Sequence, residues 1–344
     1  MRAIQMTAPG VLEQVEIPAP TPGPGEVLLN VGAAGACHSD LHILDAPAGV
    51  FPTPLTLSHE VAGTIAEVGA GATGWSPGDR VAVYGIMGCG RCRACLRGLE
   101  NQCRTVPVGG IGISRDGGLA DQMSVHASRL LPIGDLDFAA AAPLTDAALT
   151  PYHAIEVARP ALRPGNWCVV IGVGGLGHMA VQILKQTTAV RVIAVDSRPA
   201  ALDLARRLGA DETVQAGPDA VERIRSLVGP PPGGADVVLD CVGVDATMTT
   251  ARNVLSIGGR LMLIGLGGGT TPVAAVADAP PPVPFEAVVE MPFWGTRAEL
   301  YEVLALGREG LIHSAVQTFP LDQTIEAYRQ LRAGEIEGRA VIVP

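Results

Sequence analysis

Six residues in the middle of the chain, Gly172-Val173-Gly174-Gly175-Leu176-Gly177, constrain its fold more than any other stretch. They form a G-x-G-x-x-G pattern between an apolar β-branched run, Cys168 to Ile171, and a helical pattern from Leu176 to Gln186. In that setting Gly172 makes a tight turn, and Gly174 lets the backbone approach a pyrophosphate. Gly177 allows close helix–strand packing, and the helix N-terminus attracts the anion. Asp196 follows nineteen residues after Gly177, at the end of the next strand pattern. There a carboxylate accepts hydrogen bonds from the ribose hydroxyls of NAD. The alternation then continues. Arg191–Val195, Asp236–Asp240 and Arg260–Ile264 read as strands; Pro199–Leu208, Val221–Val228 and Ala246–Leu255 read as helices. Repeated βαβ units predict a Rossmann-type, doubly wound parallel sheet. Cys168 and Cys241 sit in apolar strands and read as core.

The flanks differ. Residues 1 to about 85 show short strand patterns, Val11–Ile17, Glu26–Val31, Val61–Val68 and Arg80–Tyr84, punctuated by Pro22-Gly23-Pro24-Gly25 and Ser76-Pro77-Gly78-Asp79. A mainly β domain of barrel type is expected, with strand pattern again at 119–131. Ala147–Ala158, Thr296–Leu306 and Leu321–Arg332 read as helices, Ala340–Val343 as a strand, and Pro280-Pro281-Pro282 as a loop or edge. A chain of 344 residues favours two domains. Its net charge of −10 argues against sequence-independent nucleic-acid binding, which needs phosphate neutralisation. No apolar run is long enough for a membrane span and the first residues lack a signal-peptide core, so a cytoplasmic location is expected.

Four of the seven cysteines crowd together as Cys89-x2-Cys92-x2-Cys95-x7-Cys103. Four thiolates close a tetrahedral shell with no room for substrate, the signature of a structural zinc. Iron–sulfur clusters also take four cysteines, and spacing alone does not separate the two. A disulfide reading is weak for a chain in a reducing compartment. A second metal-type stretch is Cys37-His38-Ser39-Asp40-Leu41-His42, followed by Ser58-His59-Glu60. A catalytic zinc needs three protein ligands and an open position. Cys37 and His59 supply two, and the third must come from elsewhere.

With these motifs in place, the whole chain resembles the zinc-containing medium-chain alcohol dehydrogenases, most of all bacterial NAD-dependent members acting on secondary and aryl alcohols. The motifs are Cys37-His38-Ser39-Asp40, His59-Glu60, the four-cysteine lobe, the glycine fingerprint, and Pro143-Leu144-Thr145-Asp146-Ala147. Ser58 departs from the pattern, since the family usually has Gly before His-Glu. The resemblance implies a GroES-like catalytic domain over 1–147 and 294–344 and an NAD-binding Rossmann domain over 148–293. It implies two Zn2+ per chain. One is catalytic, on Cys37, His59 and Asp146; the other is structural, on Cys89, Cys92, Cys95 and Cys103. Asp40 resembles the partner that orients the zinc histidine, and Glu60 a carboxylate that sits behind the metal or ligates it. Ser39 and His42 match a proton relay. His38, Thr150, Gly175, Leu176, Arg198, Val242, Ile264, Leu266, Trp294 and Arg339 join Gly172, Gly174, Gly177 and Asp196 as expected cofactor contacts, His38 and Arg339 at the pyrophosphate. Phe51, Ile86, Met87, Leu119, Phe293 and Trp294 are the expected pocket walls. They are apolar and favour hydrophobic alcohols over sugars.

The implied reaction is reversible oxidation of a small-molecule alcohol to a ketone or aldehyde in the cleft between the domains. Zinc polarises the alcohol oxygen, and the proton leaves through Ser39, a cofactor ribose hydroxyl and His42. The alternatives are a polyol or aldehyde dehydrogenase of the same fold, or a non-catalytic dinucleotide-binding protein. The family also implies a homo-dimer or homo-tetramer joined around residues 260–290.

Overall fold

The computed structural model describes residues 1–106, 109–229, 233–273 and 281–344. Its contacts divide the chain into two units. One comprises Met1–Leu149 with Trp294–Pro344, the other Thr150–Phe293.

In the second unit the strand Trp167–Ile171 is buried at every residue, as a strand covered on both faces must be. It lies at the centre of a six-stranded sheet. The order is Glu212–Gln215, Arg191–Asp196, Trp167–Ile171, Ala235–Asp240, Leu255–Leu263 and Val288–Glu290, and every pairing is parallel. Alternate residues face opposite sides of a strand. Val169, Ile171, Ile193 and Val195 accordingly share one apolar cluster with Ala220 and Ile224 of the helix Ala220–Val228 and Met248 and Ala251 of the helix Asp245–Val254. The strand order reverses next to Trp167–Ile171, so the turn after it opens where ligands bind doubly wound sheets.

That turn is built from three glycines with three different duties. Gly172 has φ +87°, in the left-handed region, and a β-carbon there would collide with the Val242 side chain. A β-carbon on Gly177 would run into the Gly172 carbonyl oxygen. Gly174 differs: the nearest atom to a β-carbon there is in the Arg198 guanidinium, at 3.9 Å. Its missing side chain leaves room for something that is not protein.

The first unit carries a three-stranded antiparallel sheet, Val11–Glu16, Arg2–Ala8 and Leu55–Thr56. A seven-stranded sheet runs Val316–Pro320, Arg339–Val343, Glu26–Ala36, Glu60–Val68, Arg80–Val83, Leu130–Pro132, with Gln122–His126 also paired to Glu26–Ala36. The last strand of the chain pairs antiparallel with Ala34–Ala36, so the two ends of the sequence share one sheet. Their apolar residues also share one core. It joins Ile4, Met6, Leu29 and Ile65 to Tyr328, Leu331 and Ile342.

Several elements differ from the sequence reading. A helix at His38–Leu44 was not anticipated, because it is only seven residues long. The expected helix 321–332 is a 3-10 turn, Leu321–Gln323, followed by an α-helix, Thr324–Ala333. The strand expected from Arg260 begins at Leu255 and passes through an irregularity near Gly258, where φ is +72°. Of the expected Pro280–Pro282 loop, Pro280 lies outside the described residues; Pro281 and Pro282 carry no regular structure.

The glycine geometry separates stability from ligand space. Gly177→Ala is expected to destabilise the protein by about 1–3 kcal/mol, the usual cost of overpacking, whereas Gly174→Ala is expected to leave the denaturant midpoint unchanged. Equal losses in equilibrium unfolding would contradict this division.

Candidate metal and cofactor sites

The strand Glu26–Ala36 ends against Cys37, which caps the helix His38–Leu44 in extended backbone. Asp40, at the third helical position, accepts a hydrogen bond from the Cys37 N–H at 2.8 Å. This ties the helix start back on itself and fixes the residue that bears the thiol. Across the sheet, Ser58 has φ +73°, the conformation glycine adopts without strain. Its Oγ donates to the Gly35 carbonyl at 2.7 Å, and Gly112 and Gly117 pack on its carbonyl oxygen so closely that a β-carbon on either would collide. The departure from glycine at this position therefore keeps the glycine-type backbone, held by buried contacts.

His59 follows, almost fully buried. Its Nδ1 lies 3.3 Å from Asp40 Oδ1, and its Nε2 lies 3.4 Å from Asp146 Oδ2. The Trp294 ring meets the imidazole edge-on, with centroids 5.2 Å apart. Trp294 is itself backbone-strained, at φ +53°, and its indole N–H donates to the Thr145 carbonyl at 3.0 Å. A β-carbon on Gly85 would press on the indole, so Gly85 makes room for it. Asp146 follows the 3-10 turn Ala142–Thr145, and its Oδ2 is 3.9 Å from Cys37 Sγ.

Cys37, His59 and Asp146 thus offer three donor atoms within 4.8 Å of one another. Separations of 3.4 and 3.9 Å match the edges of a tetrahedron around an ion with bonds of about 2.0–2.3 Å. The electrostatics fit as well. Burial alone would lower the His59 pKa, but the Asp40 charge and hydrogen bonds to Asp146, Asp40 and Cys37 outweigh it and hold it well above the usual histidine range. The surroundings are thus rich in negative charge, which a divalent cation would offset.

Behind this set lies an ion pair. Arg339 reaches Glu60 through two hydrogen bonds, at 2.9 and 2.6 Å, and touches Asp146 Oδ2 at 3.3 Å. Glu60 Oε1 also accepts from the Ala147 N–H at 2.9 Å. Gly35 is obligatory here, because a β-carbon would collide with Glu60 Oε2. Burial works against the Arg339 charge, but Cys37, Glu60 and Asp146 hold its pKa well above the ordinary arginine value. Burial raises the Glu60 pKa, and Arg339 opposes the rise. Glu60 is therefore engaged by arginine and a backbone N–H, and lies outside the three-donor group. Sequence reasoning placed Arg339 at the pyrophosphate. The contacts its guanidinium makes in this structure are with the acids around the metal site, and it is 3% exposed. It is the first residue of the strand Arg339–Val343, one residue before the pairing with Ala34–Ala36 begins, a placement no local motif signals.

The relay candidates share the short helix. Ser39 Oγ is 3.6 Å from Cys37 Sγ, and His42, three residues on, is exposed to solvent. His38 is exposed as well. The expected pocket walls are placed unevenly. Leu119 is wholly buried within the core of the first unit, Ile86 is buried, Phe51 packs on the core from its edge, and Phe293 is 42% exposed.

In the lobe, the four cysteines are unbridged; Cys92 Sγ lies 3.6 Å from Cys95 Sγ and 3.8 Å from Cys103 Sγ, Cys89 Sγ lies 4.0 Å from Cys95 Sγ, and all four sulfurs fall within 4.8 Å of one another. A tetrahedron with metal–sulfur bonds of about 2.3 Å has edges of about 3.8 Å. Backbone N–H groups, first that of Arg91, with the Thr105 hydroxyl, lower Cys89 to about 6, and burial pushes Cys95 up to about 12. The backbone N–H groups thus favour the thiolate at Cys89, the form that binds a metal.

In the second unit, Asp196 Oδ2 accepts from the Val173 N–H at 2.8 Å, and Oδ1 accepts from the Arg198 N–H at 2.9 Å. The carboxylate thereby ties the glycine turn to the end of the second strand. The Arg198 guanidinium folds onto the same carboxylate at 3.3 Å. Thr150, Ile264 and Trp294 are buried; Val242 and Leu266 expose apolar surface.

Together these sites define a two-domain dehydrogenase architecture, with a catalytic metal set, a structural metal lobe and a dinucleotide fold. Residues 23–135 match the alcohol dehydrogenase GroES-like domain, and residues 175–309 match the zinc-binding dehydrogenase domain. An NAD-dependent alcohol dehydrogenase of Sulfurisphaera tokodaii is 35% identical over 100% of this chain and 99% of its own. The crystal structure of the alcohol dehydrogenase of Aeropyrum pernix superposes with a TM-score of 0.91 at 32% identity, covering 100% of both chains. Acetophenone reductase of Geotrichum candidum, solved with NAD, gives a TM-score of 0.85 at 30% identity, covering 100% of this chain and 97% of its own. The chain belongs to the zinc-containing medium-chain alcohol dehydrogenase family, and the residues present fit two zinc ions and a dinucleotide. No described helix is long and apolar enough to cross a membrane.

Elemental analysis of dialysed protein is expected to give two zinc ions per chain; one would contradict one of the donor sets, and none would contradict both. Visible iron–sulfur absorption would overturn the lobe assignment. Arg339→Met is expected to destabilise the protein by about 3–5 kcal/mol, because it leaves Glu60 buried without a counter-charge. Chemical denaturation measures this, and a loss below 1 kcal/mol would show that Glu60 is neutralised in another way.

Proposed function

We propose that this chain catalyses NAD-dependent, reversible oxidation of hydrophobic alcohols, secondary or aryl, to ketones or aldehydes. The observation that carries the reading is the convergence of Cys37, His59 and Asp146, a three-ligand set of the kind catalytic zinc uses. When bound, zinc supplies a Lewis acid and NAD a hydride acceptor. Cys37 Sγ, His59 Nε2 and Asp146 Oδ2 would hold the metal. Asp40 keeps the imidazole turned, and Arg339 offsets the charge of Glu60 behind it. Ser39 Oγ stands beside the donors and would take the alcohol proton. His42, on the same helix face and open to water, would release it, since an imidazole can pass a proton to solvent. The buried Trp294 ring beside His59 gives the surroundings of the metal set an apolar character and supports hydrophobic alcohols over polyols.

Cofactor choice rests on Asp196. Its carboxylate is fixed by two backbone N–H groups at the end of the second strand and would repel a 2′-phosphate. Arg198, the residue able to welcome that phosphate, is drawn onto Asp196. A charge-assisted hydrogen bond contributes about 1.5–3 kcal/mol, which corresponds to a preference for NAD over NADP of roughly ten- to a hundredfold. The test is steady-state reduction of each cofactor with secondary, benzylic, primary and polyol alcohols. The reading expects kcat/KM to be highest for NAD with a secondary or benzylic alcohol. Polyols turning over best would sink the substrate class. NADP efficiency equal to that of NAD would show that Arg198, not Asp196, governs the ribose.

A further inference from the structure

We propose that Tyr328 is a positioning residue for the zinc-ligating histidine, acting through Asp40 from the C-terminal helix Thr324–Ala333. The inference rests on the reading of Cys37, His59 and Asp146 as zinc ligands and reaches beyond that set. The Tyr328 hydroxyl donates to Asp40 Oδ2 at 2.9 Å, across 288 residues of sequence. Both side chains are buried, Tyr328 at 4% exposure and Asp40 at 0%. The Cys37 N–H donates to the same oxygen at 2.8 Å. Two donors therefore occupy Oδ2 and fix the plane of the carboxylate. Oδ1 is left facing His59 Nδ1 at 3.3 Å, and neither of these two atoms has a hydrogen-bond partner elsewhere among the described residues.

The consequence concerns the tautomer. With Asp40 locked, its Oδ1 faces Nδ1 as a proton acceptor, so the neutral imidazole carries its proton on Nδ1 and presents the Nε2 lone pair toward Cys37 and Asp146. Without the tyrosine hydroxyl, Asp40 Oδ2 keeps only the backbone donor, and the carboxylate is free to rotate about its last bond. A purely structural role would not need the hydroxyl, because the ring already packs in the core. One helical turn further on, Arg332 makes two exposed hydrogen bonds to Asp45, at 2.7 and 2.8 Å, just beyond the end of the helix His38–Leu44. Side-chain hydrogen bonds thus tie Thr324–Ala333 to Asp40 of the short helix and to Asp45 beyond its end, and the Tyr328 bond leads to the metal set.

The test uses the full-length zinc-loaded protein. Tyr328→Phe keeps the packed ring and removes the hydroxyl. Zinc release to a chromophoric chelator is followed in time, and the phase belonging to the catalytic site is identified by its loss in Cys37→Ala. In Tyr328→Phe that phase is expected to accelerate about 10- to 100-fold, the usual effect of removing an outer partner of a metal histidine, with the lobe phase unchanged. Arg332→Ala, which loosens the same helix pair from outside, is expected to release zinc at the wild-type rate. The double variant Asp40→Asn with Tyr328→Phe is expected to release no faster than Asp40→Asn alone. An unchanged catalytic phase in Tyr328→Phe overturns the proposal. So does equal acceleration by Arg332→Ala, or additive acceleration in the double variant. A wild-type chain that releases only the lobe zinc overturns it together with the ligand reading on which it rests.

Discussion

The Arg339 guanidinium is buried among acids, with Glu60 and Asp146 on its nitrogens and the Cys37 thiol close enough to raise its pKa. Much of the first unit is shaped by the need to keep these charges together. Gly35 lacks a side chain so that the Glu60 carboxylate fits against the strand. The 3-10 turn before Asp146 delivers the Ala147 N–H to Glu60 and the Thr145 carbonyl to Trp294. An isolated buried carboxylate costs several kcal/mol, whereas a bidentate arginine partner offsets most of that. The ion pair contributes arrangement as much as stability. It fixes where Asp146 Oδ2 lies relative to Cys37 and His59.

The dinucleotide unit works on a different principle. Its turn is shaped by what is missing, since Gly172, Gly174 and Gly177 each remove a side chain for a different reason. Asp196 then binds the turn to the neighbouring strand through its two oxygens. Charge organises the first unit and steric economy the second, which is why a single chain reads so differently on either side of residue 150.

The doubly wound sheet and both cysteine-bearing motifs are legible in the sequence because each is local. A fingerprint of six residues or a run of four cysteines carries its meaning within one or two elements. What escapes sequence reading is set by distance along the chain. Tyr328 carries no motif and the resemblance points Arg339 to the pyrophosphate, yet they meet Asp40 and Glu60 across 288 and 279 residues. The short helix His38–Leu44 is likewise too brief for its periodicity to show, and it is recognisable only by the Asp40 cap on Cys37. Ser58 is the converse case. It departs from the family's usual Gly, yet buried hydrogen bonding holds it at a glycine-like φ of +73°.

The pairing of the last strand with Ala34–Ala36 also has a consequence for how the molecule comes into being. A ribosome delivers Glu60 early and Arg339 only 279 residues later. The second unit, residues 150–293, is complete in sequence well before that. The first half of the metal-bearing unit must therefore wait, with its strand edge at Ala34–Ala36 unpaired and its acid unanswered. Sheets assembled from such distant pieces are the slow, aggregation-exposed kind. The residues that complete the chemistry also close the strand edge at Ala34–Ala36, so one late event both answers the acid and covers the sheet.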